Sequence, residues 1–91
     1  MSSFHGVTYT STINKLTKMI GMPIHKDLED TNDKVQVEFE VTLEDGSTCY
    51  IYSWKEYREL SGDMHIEFHI GARDAYQSRK VINYINNTYK F

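Results

Sequence analysis

Cysteine, proline and long apolar runs are scarce in this chain of 91 residues. The single cysteine, Cys49, cannot form an intrachain disulfide. Because small secreted domains usually depend on several disulfides, we expect a reducing compartment, the cytoplasm. No apolar run approaches the roughly 20 residues of a membrane-spanning helix, so we expect no membrane partner. The first six residues have neither a basic stretch nor an apolar run, and we therefore expect no signal peptide.

The composition is that of a folded domain. Hydrophobic residues make up 40% of the chain and aromatic residues 13%, which is more than a disordered chain would have. A chain of 91 residues has room for one hydrophobic core. We therefore predict a single α+β domain over residues 1–91.

The net charge of −3 conceals an uneven distribution. Residues 27–67 carry 12 acidic and 3 basic side chains. The two flanking segments together carry 7 basic side chains and a single acid, Asp74. Such asymmetry bears on the choice of partner rather than on the fold.

The clearest secondary-structure signal is a β-hairpin. Every second residue from 35 to 43 is apolar, which is the period of a half-buried strand. Asp45-Gly46 follows, and this pair favours a two-residue type I′ turn. That turn would place Val37 opposite Trp54. We then expect the core face to carry Val37, Phe39, Val41, Tyr50, Tyr52 and Trp54, and the outer face to carry Glu38, Glu40, Thr42, Glu44, Cys49, Ile51 and Ser53.

Two helices and a third strand complete the predicted elements. Helical apolar spacing begins after Thr10-Ser11-Thr12, which offers candidate N-cap side chains, and ends at Gly21. Residues 66–70 alternate again, with three apolar side chains on the core side. A final helix has Asp74 in its first turn, where a negative charge suits the helix dipole. Its predicted apolar face consists of Ala75, Ile82, Ile85 and Tyr89.

These elements predict an α+β fold of order α-β-β-β-α. It is a three-stranded antiparallel sheet with two helices packed on one face, because the sheet has only one apolar face to cover. Residues 1–10 alternate loosely and could add a short N-terminal strand. The opposite sheet face would meet water or a partner.

No combination of side chains indicates catalysis. His65, Glu67 and His69 share one side of the third strand, and such a trio can bind zinc. The sequence supplies no clear fourth ligand, so a polar strand face is favoured over a metal-dependent enzyme. Cys49 has no cationic neighbour that would activate its thiol. We therefore predict no catalytic residue, no metal and no cofactor.

The outer sheet face is the predicted binding site. Carboxylates and histidines project from it, and they would attract a basic protein surface. The predicted site residues are Glu38, Glu40, Glu44, Glu67, His65 and His69. The alternative site is a basic layer on the two helices, which could bind the phosphates of a nucleic acid. That layer would consist of Lys15, Lys18, Arg73, Lys80, Asn83 and Asn87.

The middle of the chain resembles a group of known proteins. Its motifs are Glu44-Asp45-Gly46, Ile51-Tyr52, Trp54-Lys55 and His69-Ile70-Gly71. They are similar to an E-D-G turn, an I-Y-x-W-K strand and a W-H-I-G-G strand end in small uncharacterised proteins of double-stranded DNA bacteriophages. Within residues 34–75 the chain departs from this pattern at Phe68, where tryptophan is expected, and at Ala72, where glycine is expected. The resemblance implies a viral origin and a location in the host cytoplasm, in a genome rich in small inhibitors of host proteins and of bacterial immunity.

Together these observations predict a non-enzymatic binding protein. The expected function is inhibition of a host protein, such as a bacterial defence nuclease of the CRISPR type, by docking the acidic face on a basic surface. One alternative is a nucleic-acid-binding module that uses the helical layer. Another is a sponge that sequesters a small signalling nucleotide. The sequence identifies neither the partner nor the oligomeric state, and it is compatible with a homo-oligomer.

Overall fold

The computed structural model describes residues 3–88 and shows two helices against a five-stranded antiparallel sheet. The strands are β1 (Ser3–Ser11), β2 (His25–Lys26), β3 (Val37–Thr42), β4 (Thr48–Tyr52) and β5 (Ile66–Ala72). The helices are α1 (Ile13–Ile20) and α2 (Ala75–Thr88). The strand order across the sheet is β1-β5-β4-β3-β2. The predicted α+β class is confirmed, and the sheet has two strands beyond the three predicted.

The two additional strands form the edges of the sheet. The N-terminal strand that the sequence suggested is β1, which pairs with β5 over the described part of residues 1–10. Its register shifts between Phe4 and Thr8, where Gly6 adopts a φ of 81° and a bulge interrupts the ladder. At the other edge, β2 pairs with β3 over only two residues. A strand that short has no detectable sequence period.

The β3–β4 hairpin is closed by a three-residue loop, and the predicted two-residue turn is wrong. The Leu43 N–H donates to the Ser47 carbonyl at 2.8 Å, and the Gly46 N–H donates to the Leu43 carbonyl at 2.9 Å. Gly46 has a φ of 86°, the left-handed conformation that ends such loops. The additional loop residue shifts the strand register by one.

This shift exchanges the two faces of β4. Phe39 lies opposite Ile51, and Val41 lies opposite Cys49. Cys49 and Ile51 are therefore buried, although the two-residue turn predicted both on the outer face. Because side chains alternate along a strand, a slip of one residue turns all of them over. The aromatic residues predicted in the core, Tyr50, Tyr52 and Trp54, lie on the outer face instead.

Both helices cover the inner face of the sheet and share one core. The N-cap of α1 is Thr12, the last of the three candidates, and its hydroxyl accepts the Lys15 N–H at 3.1 Å. Gly21 ends the helix, as predicted. In the centre of the sheet, Phe39 and Phe68 meet edge to face with ring centroids 6.4 Å apart. The buried apolar side chains that the helices add are Ile13, Leu16 and Met19 from α1 and Val81 and Ile85 from α2.

The predicted apolar face of α2 is only partly correct. Asp74 caps this helix, because its carboxylate accepts the Gln77 N–H at 2.8 Å. The buried stripe is centred on Val81, with Gln77 and Ser78 beside it. Of the four residues predicted on this face, Ile85 is buried, Ala75 and Ile82 are half-buried, and Tyr89 lies outside the described residues.

Hydrogen bonds from Gln36 connect two long loops to the end of the sheet. Its side chain is fully buried, and its amide nitrogen donates to the carbonyls of Leu28 at 3.1 Å and Arg58 at 2.7 Å. Its backbone N–H donates to the Ser53 hydroxyl at 3.0 Å. These bonds hold the segments before β3 and after β4 against each other, where they border the outer face.

Candidate functional site

The outer sheet face presents side chains in rows that cross the strands. In the first row, Tyr52 lies opposite Glu38 on one side and His69 on the other. Thr8 and His25 extend this row to the two sheet edges. These side chains point away from the helices because they alternate with buried residues of the same strands. The buried residues are Phe39, Ile51 and Ile70.

The second row lacks a side chain near its centre, where Gly71 lies. Phe4, Gly71, Tyr50 and Glu40 lie on consecutive strands. A Cβ atom on Gly71 would lie 3.3 Å from Cε1 of Tyr52, so the tyrosine ring leans over bare backbone. Glycine inside a strand often marks such a close approach. The backbone at Gly71 is thus the floor of a shallow groove.

Five rings form what we call the aromatic patch: Phe4, Tyr50, Tyr52, Trp54 and His69. Phe4 stacks on His69 with centroids 3.9 Å apart. Tyr52 and Trp54 meet edge to face at 6.2 Å, and His69 lies 5.8 Å from Tyr52 and 6.0 Å from Trp54. Phe4 remains 41% exposed and Trp54 37% exposed. Contiguous exposed aromatic surface commonly marks a binding site.

A groove of about 250 Å³ opens in this patch. Its walls are aromatic, its floor is backbone, and one carboxylate stands at its side. The lining residues are Val35, Glu38, Tyr50, Tyr52, Trp54 and Gly71. A cation already approaches one wall, because the Lys55 ammonium lies 5.5 Å from the centroid of the Trp54 ring.

Carboxylates border the patch without being neutralised. Glu38 is half-buried, and its carboxylate forms no hydrogen bond or ion pair with any residue from 3 to 88. Glu40 is exposed and likewise has no polar side-chain partner in that range. Glu67 accepts a long hydrogen bond of 3.5 Å from Thr8. Burial, and secondarily the charge of Glu38, raise the pKa of Tyr52, so its hydroxyl stays protonated as a hydrogen-bond donor.

The structure separates the predicted site residues into two groups. Glu38, Glu40, Glu67 and His69 share the outer face, whereas the other two predicted residues lie elsewhere. His65 is exposed just before β5 and takes no part in the ring contacts. Glu44 lies in the hairpin loop and borders a second groove, of about 410 Å³, between that loop and α2.

Sequence reasoning missed the aromatic members of the site. The two-residue turn predicts Tyr50, Tyr52 and Trp54 in the core, and the sequence pattern assigns no role to Phe4. The sequence feature that could have identified these residues is the alternation of Cys49 and Ile51 with the two tyrosines. An aliphatic residue has more to gain from full burial than tyrosine, whose hydroxyl needs a partner or water.

The predicted zinc trio and the Cys49 thiol have the following surroundings in the described residues. In that part of the chain, no three His, Cys, Asp or Glu side chains lie close enough together to hold a metal ion. His69, from the trio that resembled a zinc site, packs against rings instead. Burial, and secondarily the charge of Asp45, raise the pKa of the Cys49 thiol, which disfavours the reactive thiolate.

The basic residues of the helical layer are distributed over separate places. Lys15 and Lys18 line a depression of about 300 Å³ at the start of α1. Arg73 pairs with Asp74 at 3.2 Å. The ammonium of Lys80 lies 5.1 Å from the ring centroid of Tyr76. Asn83 and Asn87 face the hairpin loop together with Lys80.

His69 should make the stability of the fold sensitive to mildly acidic pH. Desolvation lowers its pKa in the folded state and outweighs the opposing charges of Glu67 and Glu56. The unfolded chain, with a histidine pKa near 6.5, therefore binds this proton more readily than the folded protein. Stability contributed by neutral His69 is present above about pH 6.5 and is lost as the pH falls toward its folded-state pKa.

Thermal unfolding at about pH 7.5 and at about pH 5.5 measures this effect, since the second value lies below the ordinary histidine pKa. We expect the melting temperature to fall, and to fall less in His69→Gln, which cannot be protonated. An equal fall in both proteins would contradict the assignment to His69.

Comparison with known proteins assigns no function to this chain, so the function is inferred from the residues of the site. Within residues 3–88, neither helix is long and apolar enough to cross a membrane. The chain matches no protein-family model, and it has no significant match among curated proteins or solved structures. Function is a property of the site rather than of the fold class. The function is therefore inferred from the outer face, where rings are exposed and Glu38 and Glu40 have no ionic partner in the described part of the chain.

Proposed function

We propose that this is a non-enzymatic binding protein that docks its outer sheet face on a basic surface of another protein. The observation that carries the proposal is an exposed aromatic patch beside carboxylates, Glu38 and Glu40, that have no ionic partner among residues 3–88. Interfaces concentrate their binding energy in a few aromatic and arginine side chains that become fully desolvated. Trp54 and Phe4 supply such apolar area here, and Glu38 and Glu40 supply charge next to it.

The negative charge of the outer sheet face favours one class of partner. Glu38, Glu40 and Glu67 give the face a negative potential, which attracts cationic groups and repels phosphates. Two copies of the chain that met through this face would bring like charges together. A basic protein surface is therefore a better complement than a nucleic acid or a second copy.

The bacteriophage resemblance of residues 34–75 suggests a host protein as the partner. Proteins that bind nucleic acid do so through positively charged surfaces. An acidic and aromatic face could occupy such a surface and exclude the nucleic acid. In its narrower form, the proposal is that the protein inhibits a bacterial defence nuclease of this kind, in the host cytoplasm.

Quantitative affinity capture from bacterial host cells tests the docking face. Wild-type protein is compared with Glu38→Lys/Glu40→Lys, which reverses two charges on the face without touching the core. The expected result is a partner whose recovery drops by about tenfold or more, because unlike charges become like charges across the interface. Glu29→Lys/Glu59→Lys is the matched control, since it makes the same charge change at two exposed loop positions.

The purified partner then allows a direct measurement. Association should slow as the salt concentration rises, since screening weakens steering between exposed charges. Circular dichroism verifies that each variant is folded. The docking proposal is wrong if Arg73→Glu/Lys80→Glu, on the helical layer, abolishes capture while the sheet variant retains it.

A second candidate function is base stacking, and the open rings of Tyr52 and Trp54 favour it. Sheet modules that bind single-stranded nucleic acid stack bases on exposed aromatic side chains. This candidate covers both a nucleic-acid module and a sponge for a small signalling nucleotide. The same variants distinguish it, because a phosphate-bearing ligand would bind more tightly after Glu38 and Glu40 are reversed to lysine.

A further inference from the structure

We infer that the groove lined by Tyr52, Trp54 and Glu38 is a receptor for one arginine side chain of the partner. This inference rests on the proposed docking function and adds the chemistry of the contact. It follows from the arrangement of two rings, one carboxylate without an ionic partner among residues 3–88, and a glycine in place of a side chain.

The two rings form walls of a kind that a planar cation fits. Tyr52 and Trp54 are nearly perpendicular, with an interplanar angle of 83° and centroids 6.2 Å apart. A guanidinium can stack flat on one ring while its edge meets the other. The attraction between a cation and the negative face of the ring is strongest for tryptophan.

The carboxylate supplies the charge that the cation neutralises. Glu38 lines the groove, is half-buried, and has no ionic partner among residues 3–88. The neighbour that could have neutralised it is His25, directly opposite on β2. That imidazole instead contacts the Val35 carbonyl at 3.0 Å and lies 3.4 Å from Asp33. A partly desolvated carboxylate of this kind is the preferred site for a bidentate arginine contact.

The size of the groove limits the occupant. Its volume of about 250 Å³ lies just below the roughly 300–1,000 Å³ of pockets for drug-sized ligands. One inserted side chain therefore suits it better than a whole small molecule. The space exists because Gly71 has no side chain, and a Cβ atom there would contact Tyr52 at 3.3 Å.

Lys55 acts in this arrangement as an internal competitor. Its ammonium lies over the Trp54 ring at 5.5 Å from the centroid, so part of the cation-binding surface is occupied in the free protein. It also carries the same charge as the incoming guanidinium. Removing this side chain, as in Lys55→Ala, should therefore strengthen arginine binding, whereas a purely structural role for Lys55 would not.

The test uses the full chain and a defined probe, the capped tripeptide Gly-Arg-Gly. Its binding is followed by two-dimensional NMR, with the Trp54 indole N–H as reporter, because this is the only tryptophan. We expect saturable shifts of this signal with a dissociation constant on the order of millimolar, which suits a single side-chain contact. The matched probes are Gly-citrulline-Gly, which has nearly the same shape without charge, and Gly-Lys-Gly, which has charge without the plane. Both should bind several-fold more weakly.

Matched variants assign the contact. Glu38→Gln keeps the shape of the side chain and should weaken arginine binding by about tenfold. Glu40→Gln removes an equal charge outside the groove and should change it less than about twofold. Lys55→Ala should tighten binding. If citrulline binds as well as arginine, or if Glu38→Gln binds arginine unchanged, the inference is overturned.

The outcome is separable from that of the docking proposal. Absence of any saturable arginine-dependent shift at Trp54, with partner capture still sensitive to Glu38→Lys/Glu40→Lys, would refute the arginine receptor and leave the docking face in place. Partner capture that is insensitive to that variant would refute the docking proposal itself.

Discussion

Ile51→Lys is expected to prevent the domain from folding, whereas Tyr50→Lys, one residue earlier in β4, is expected to leave it folded. Ile51 is fully buried and pairs with Phe39 on one side and Ile70 on the other. An ammonium there would have no partner and would cost several kcal/mol. The total stability of a domain is about 5–15 kcal/mol, so little or none would remain. Tyr50 points outward, and a charge in its place stays in water, at a cost of about 1 kcal/mol.

Circular dichroism and thermal unfolding of the two variants provide the measurement. The pair is informative because the two-residue turn expected from Asp45-Gly46 makes the opposite prediction, with Tyr50 in the core. A folded Ile51→Lys protein together with an unfolded Tyr50→Lys protein would contradict the three-residue loop. It would also place the aromatic patch inside the domain and so remove the proposed binding face.

Gln36→Glu is expected to lower the free energy of unfolding by about 3–5 kcal/mol, the cost of an uncompensated buried charge. The Gln36 amide donates hydrogen bonds to the Leu28 and Arg58 carbonyls and is 1% exposed. A carboxylate at this position has no proton to donate, so it would face two carbonyl oxygens across hydrogen-bond distance. The loops before β3 and after β4 would then lose their common attachment.

Chemical denaturation of this variant, followed by the fluorescence of Trp54, measures the loss. Because burial raises the pKa of a carboxyl group, the introduced side chain should take up a proton as the pH falls, and part of the lost stability should return. Gln36→Met is the uncharged control, which removes the two hydrogen bonds and should cost about 1–3 kcal/mol without this recovery. Equal losses in the two variants, with no dependence on pH, would show that the buried charge is not the cause.

Structural features that depend on only a few neighbouring residues are predicted correctly from the sequence. Thr12 and Gly21 mark the ends of α1, because cap geometry depends only on neighbouring backbone groups. The inward residues of β3 were also assigned correctly, since a single alternating run has one apolar side. The carboxylates Glu38 and Glu40 were placed on the outer face by the same argument.

The orientation of β4 could not be read in this way. Both of its faces carry apolar atoms: tyrosine and tryptophan rings on one side, and Cys49 and Ile51 on the other. The pattern is therefore compatible with either register, and the choice depended on one residue in the hairpin loop. A turn of two residues and a loop of three both accommodate Asp45-Gly46.

Tertiary structure decided between the two registers. Since β4 lies between β3 and β5, its inward residues must fit the buried rows on both neighbours. Ile51 fills the space between Phe39 and Ile70. The same pairing turns Tyr52 outward between Glu38 and His69. The separate pairing of β1 with β5 brings Phe4 from the N-terminal edge strand onto His69, 65 residues further along the chain.

The sequence by itself determined the α+β class, the ends of α1, the inner face of β3 and the presence of carboxylates on the opposite face. Each of these depends on local propensity or on the period of one segment. Only the tertiary structure decided which side of β4 is buried, and with it the existence of the aromatic patch and its groove. The physical reason is that strand pairing brings together segments that are distant in the chain. Its energy depends on three strands at once and cannot be predicted from the hydrophobic pattern of any one of them.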